Sequence, residues 1–159
     1  MNNKSTWKSA VRPILGGLLL LAMSGMRAAY AAPPTDACAL LMPAQVSAVL
    51  GISVGAGERI VPSSSTLCGY GGAGAAKRVV VAIITVNMFT HEKTPLQGIK
   101  EEAAAGVGDE AHYMTTPGFG TGLSVKKGNF AFKVRVYGFP LEQIKAKEKT
   151  LALEVLAKL

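Results

Sequence analysis

Metal and thiol chemistry find little material in this chain, which holds two cysteines and two histidines among 159 residues. Cys38, Cys68, His91 and His112 stand far apart in sequence, without the short ligand spacings of a structural zinc site. A G-x-S-x-G turn is missing, so the raised serine of an α/β-hydrolase has no position to occupy. The serines at 63–65 read instead as a polar surface loop. Neither "GVGDE" (106–110) nor "GYGGAG" (69–74) carries the lysine of a nucleotide loop or opens a helix. Aromatic residues make up only 6% of the chain, and no arginine-rich stripe interleaves with them, which argues against nucleic-acid binding.

The first thirty residues differ in kind from the rest. Lys4, Lys8 and Arg12 give a basic start, "PILGGLLLLAM" (13–23) a short apolar core, and Ala29 and Ala31 an A-x-A pattern. That order is the pattern of a secretory signal peptide over 1–31, cut near Ala31. The apolar run falls short of the roughly 20 residues a spanning helix needs. Membrane contact is therefore expected only through the signal, if it stays uncleaved. Four of the 17 basic residues (Lys4, Lys8, Arg12, Arg27) leave with the signal, so 13 face 10 acids and the mature net charge is +3, against +7 for the whole chain. The destination is periplasmic or secreted, an oxidising compartment where Cys38 and Cys68 are expected to pair.

After a linker over 32–37, one domain is expected over 38–159. Pro43 and Gly51 bracket a first helix by their preferences for the first helical position and the position past the end. Short strands are expected near Arg59–Val61 and over 67–72. "RVVVAIITVNMF" (78–89) reads as a central strand, β-branched and apolar on both faces. Thr94 and Gln97 have capping-box spacing, so 90–106 reads as a helix that starts there and stops at Gly106. A strand over 109–115 follows, then a hairpin over 123–138 turning at Lys127–Asn129. Phe130, Phe132, Val134 and Val136 alternate with Ala131, Lys133, Arg135 and Tyr137, the pattern of a half-exposed antiparallel strand. Pro140 opens a last helix with a stripe of Leu141, Ile144, Leu151, Val155 and Leu159, interrupted by Glu148. Together these predict an α+β domain: a mainly antiparallel sheet of five to six strands, three helices and one disulfide.

Candidate chemistry concentrates in "AGVGDEAHYM" (105–114). Along a strand Glu110 and His112 share one face and Asp109 points to the other. This stretch thus offers at most two ligands to a metal, too few for zinc, and Asp109 and Glu110 diverge instead of forming a facing acid–base pair. No catalytic residue, metal or cofactor is assigned. A ligand or partner face is expected on Lys133, Arg135 and Tyr137, with Glu110 and His112.

"CALLMPAQVSAVLG" (38–51), "CGY" (68–70), "GVGDEA" (106–111) and the closing "LAKL" together resemble a group of small exported bacterial domains of unknown function. Many of these are lipoproteins. They start with a C-x-L-L-T-x-x-[ED]-[VA] helix, carry a second cysteine before an aromatic, and open a later strand with G-[VL]-G-D-x-A. The resemblance covers most of Cys38–Leu159. It implies a Cys38–Cys68 disulfide and an α+β sheet domain, and supplies no catalytic residue. Met42 stands where the group has a capping threonine, Gln45 replaces the usual acid, and the lipid-bearing cysteine is absent. The function expected is a non-enzymatic binding domain of the bacterial envelope, with a protein or small-ligand partner. The alternatives are a small hydrolase or transferase using Asp109, Glu110 or His112, and an inhibitor of an envelope enzyme.

Overall fold

A computed structural model of the chain describes residues 32–71, 74–94 and 97–159. The expected signal peptide lies outside the described residues. In the described part no helix is long and apolar enough to cross a membrane.

Asp36 caps a single 3-10 turn over Ala37–Ala39, its side chain accepting from the Cys38 N–H. The segment expected as a linker is thus partly structural: Ala37 is fully buried and donates its N–H to the Ser65 carbonyl at 2.7 Å. Helix α1 (Pro43–Leu50) ends on Gly51 at φ 69°, the left-handed position that glycine fills without strain. The Met42 side chain makes no cap bond, and Gln45 compensates by accepting the Met42 N–H at 2.8 Å.

Strands β1 (Glu58–Arg59), β2 (Leu67–Tyr70) and β3 (Arg78–Ile84) follow. β3 stops earlier than the apolar run suggests, because Thr85 accepts the Met88 N–H and starts helix α2 (Val86–Glu92). Of the helix expected over 90–106, residues 90–92 form the end of α2, and no described residue beyond them in that span is helical. Residues Lys100–Ala103 are instead strand β4, paired antiparallel with the next strand. "KEEA" has helical propensity, but edge pairing and the Lys145–Glu102 ion pair at 2.9 Å override that weak local preference. Thr94 donates its N–H to the His91 carbonyl at 3.0 Å, and Pro95 and Leu96 lie outside the described residues. Gly106, at φ 77°, belongs to the turn joining β4 to β5 (Glu110–Thr116).

The hairpin of β6 (Gly120–Lys127) and β7 (Phe130–Tyr137) forms as expected, turning at Gly128, and α3 (Leu141–Leu156) closes the domain. The seven strands lie in the order β1-β2-β3-β7-β6-β5-β4, every neighbouring pair antiparallel. This is the expected α+β fold, with one strand more than the upper expectation.

The inner sheet face packs under α3 at β6 and β7 and under the 3-10 turn at β2 and β3, and α1 packs against α3. Cys68, Tyr70, Val79, Val81, Leu123, Phe132, Val134 and Val136 from the sheet are all nearly inaccessible there, and Ile144, Leu151 and Val155 of α3 meet them. Leu141 and Leu159, expected in the α3 stripe, are exposed. Glu148, which interrupts that stripe, stays in it and is completely buried. Cys38 and Cys68 form the disulfide, with Cα atoms 5.1 Å apart, joining the 3-10 turn to β2. Tyr70 reinforces that junction by donating its hydroxyl to the Leu41 carbonyl at 2.7 Å. A disulfide of this kind is consistent with an oxidising compartment.

Candidate functional site

The outer sheet face divides into a half that α2 covers and a half left open. In the covered half, pairing places His112 opposite Ser124, and Ser124 opposite Lys133, so one row crosses β5, β6 and β7. α2 lays Phe89 and Glu92 onto this row. The Phe89 ring sits 4.7 Å from the His112 ring, centroid to centroid. Glu92 accepts the Ser124 hydroxyl at 2.6 Å on one oxygen and the Lys133 ammonium at 2.5 Å on the other. His112 Nε2 stands 3.7 Å from the same oxygen that Ser124 reaches, beyond hydrogen-bond range. Burial raises the Glu92 carboxyl, but His112, Lys133 and Ser124 together outweigh it and bring it down to about 2.

Serine, histidine and a carboxylate thus meet, though not as a nucleophilic triad. Ser124 and His112 both face the carboxylate, so no imidazole stands between them to accept the serine proton. Ser124 is fully buried and His112 is 1% exposed, which leaves a substrate no approach. Glu92 and Ser124 had no signal in the sequence, since a helix and two strands from separate regions bring them to His112. Glu92→Gln is expected to cost about 2–3 kcal/mol at neutral pH, because Lys133 loses its charged partner in a half-buried site. The folded carboxyl lies below its unfolded value near 4.5. Its contribution is therefore present above that value and fades as pH falls toward about 2. Urea midpoints of the two proteins should converge over that acid range.

The acids of "AGVGDEAHYM" have structural partners. Asp109 accepts the Gly128 N–H and the Lys127 ammonium, both at 2.7 Å, and so clamps the β6–β7 turn. Glu110 pairs with Lys93 of the segment after α2 and, at 3.2 Å, with Lys126. Both carboxyls are lowered, first by their lysine hydrogen bonds, which favours ionised anchors over proton donors. Gly108 lies so close to β6 that an added Cβ would sit 2.6 Å from the Lys126 carbonyl oxygen. The stretch is a strand-to-strand joint. Among the described residues no group of three or more His, Cys, Asp or Glu is placed to hold a metal ion.

The open half is different. Arg78 lies directly across the β3–β7 pair from Tyr137 and covers its ring at 4.4 Å, while Arg135 reaches the same ring at 5.2 Å. Gly122 makes room for Arg135, since an added Cβ would stand 2.9 Å from its Cγ. The Arg135 guanidinium crosses β6 to donate to the Phe119 and Thr121 carbonyls at 3.2 and 3.4 Å. Neither arginine has a carboxylate partner among the described residues, whereas Lys93, Lys126 and Lys133 are all paired. Beside this stack runs a groove of about 430 Å³ lined by Glu58, Ile60, Gly69, Arg78, Val80 and Tyr137. Its walls are half apolar: Ile60 is 49% exposed and lies over Gly69.

The five residues expected on one ligand face, Glu110, His112, Lys133, Arg135 and Tyr137, do share the outer face. Only Arg135 and Tyr137 border its open half, because α2 buries His112 and ion pairs engage Glu110 and Lys133. Comparison of the chain with protein-family models, curated proteins and solved structures finds no match.

Proposed function

We propose that the protein is an exported, non-enzymatic binding domain of the cell envelope whose ligand face is the open half of the outer sheet. One observation carries this reading. Arg78 and Arg135 stack on Tyr137 without any carboxylate partner among the described residues, beside a groove of about 430 Å³. Groove size falls within the usual range for small-ligand sites, where a few fixed polar groups are set in apolar walls. Stacking holds both guanidinium planes in place before a ligand arrives, which lowers the entropy cost of binding. The hydrolase alternative draws no support from the buried Ser124 and His112 or from the lysine-bound Asp109 and Glu110.

Affinity capture of the exported protein from its envelope fraction, with bound molecules identified by mass spectrometry, tests the reading. The expected result is a ligand recovered with the parent and lost with both Tyr137→Ala and Arg78→Gln at unchanged melting temperature. Equal recovery with the parent and both variants would place the binding elsewhere.

A further inference from the structure

We infer that the groove beside Tyr137 binds a short zwitterionic peptide of two or three residues, its carboxylate on Arg78 and its ammonium on Glu58. This inference rests on the ligand face proposed above and specifies what that face recognises.

The groove carries opposite charges that no ion pair among the described residues neutralises. Arg78 lines it, and its one polar contact among the described residues is a 3.3 Å bond from Nη1 to the Ala75 carbonyl. Glu58 lines it as well and enters no ion pair among the described residues. The third charge, Arg59, is already held by Asp36 at 2.8 Å. A simple anion would satisfy Arg78 but face the Glu58 carboxylate. A simple cation would have the converse problem. A ligand with both charges satisfies each, and wrong-charge competitors are rejected by the group left unmatched.

Strand geometry sets the length. Glu58 pairs with Gly69, and Gly69 with Val80, so Glu58 lies two strands away from β3 at the level of Val80. Arg78 is two residues further along β3. With about 4.8 Å between strands and about 3.4 Å per residue, the two Cα atoms are roughly 12 Å apart. Arg78 turns toward Tyr137 on β7, on the far side of β3 from Glu58, so its charge is not drawn in toward Glu58 and a single amino acid is too short to bridge the gap. Two or three extended residues, at about 3.3–3.6 Å each, fit it. Ile60 and Val80 line the floor and wall between the charges, so apolar side chains suit the middle of the ligand. The Tyr137 ring holds the Arg78 guanidinium in place at the groove's edge, a planar group suited to a carboxylate.

The test titrates the ¹⁵N-labelled exported protein with divaline and trivaline, each also as the N-acetyl form lacking the ammonium and the C-terminal amide lacking the carboxylate. The amides of Gly69, Gly74 and Val80 report the groove. The free peptides should shift them saturably, with each blocked form weakened roughly tenfold or more, about one charge-assisted hydrogen bond. Glu58→Gln should bring the free and N-acetyl peptides to equal affinity, and Arg78→Gln should do so for the free and amidated ones. If the N-acetyl peptide binds the parent as well as the free one, the zwitterion inference fails and the groove reads an anion alone. No groove shift at about 10 mM free peptide, a concentration that reveals even millimolar binding, also overturns the inference. In both cases the ligand-face reading stands or falls separately, on whether captured ligand depends on Tyr137 and Arg78.

Discussion

Raising the pH from about 5 to about 9 should destabilise the domain by roughly 3–5 kcal/mol, and Glu148→Gln should abolish most of that loss. Glu148 lies inside the apolar stripe of α3 and is fully buried. One oxygen accepts the Val136 N–H at 3.0 Å; the other has no hydrogen-bond partner among the described residues. That N–H is available because β6 pairs with β7 only as far as Leu123 opposite Val134. Burial pushes the carboxyl up to about 8, against the Val136 bond and the pull of Arg135, Lys133 and Lys145. The folded value exceeds the unfolded one near 4.5, so the folded protein binds the extra proton between them. Its contribution is complete below pH about 4.5 and disappears as pH rises through about 8.

Tyr113, whose hydroxyl is raised to about 12 by burial and by nearby Glu148 and Glu102, titrates beyond this window. The glutamine variant keeps an oxygen for the Val136 N–H and cannot ionise. Urea midpoints should therefore agree near pH 5 and favour the variant near pH 9. Parallel pH profiles for the two proteins would sink the idea. Glu148→Leu is a different change, since it leaves the Val136 N–H buried without an acceptor, and should be less stable than the glutamine variant by about 1–3 kcal/mol at every pH.

Reduction of Cys38–Cys68 should lower stability by about 3–4 kcal/mol, the loop-entropy value for a crosslink of this span. The bond joins residues 30 apart in sequence. For a domain of this size that corresponds to a melting temperature lower by roughly 10–20 °C. The native side adds to the effect. Cys68 is fully buried, and Gly57 packs so tightly that an added Cβ would lie 2.6 Å from the Cys68 sulfur. Losing the tie should loosen the 3-10 turn and with it the Tyr70 bond to Leu41. Paired melts with and without reductant measure it, and coincident curves would show that packing alone holds this corner. A Cys38→Ala/Cys68→Ala double variant should melt with the reduced parent.

Expectations failed where local signals competed with pairing. Thr94, Pro95 and Gln97 have helix-start spacing, yet the strand over Lys100–Ala103 forms because β5 offers a long edge to complete. Thr85 is as good a cap as Thr94, but its place inside an apolar run hid it. The alternation in Phe130–Tyr137 was legible because a half-covered antiparallel strand imposes it on every second residue.

By itself the sequence determined the class of the domain, the cysteine pair, the hairpin and the closing helix. These follow from short-range periodicity, from residue types with strong backbone preferences, and from having only two cysteines to join. Only the tertiary structure decided which polar residues are inside. The sequence marked His112 as a candidate for chemistry and Glu148 as a break in an apolar stripe, but the burial of these two and of Ser124 depends on what a distant helix or strand lays over them. The tertiary structure also separated the two halves of the outer face. α2 seals one over His112, while the other keeps Arg78, Tyr137 and Glu58 beside an open groove. Such an arrangement follows from strand order and register, which bring together residues that are twenty to eighty positions apart and share no local pattern.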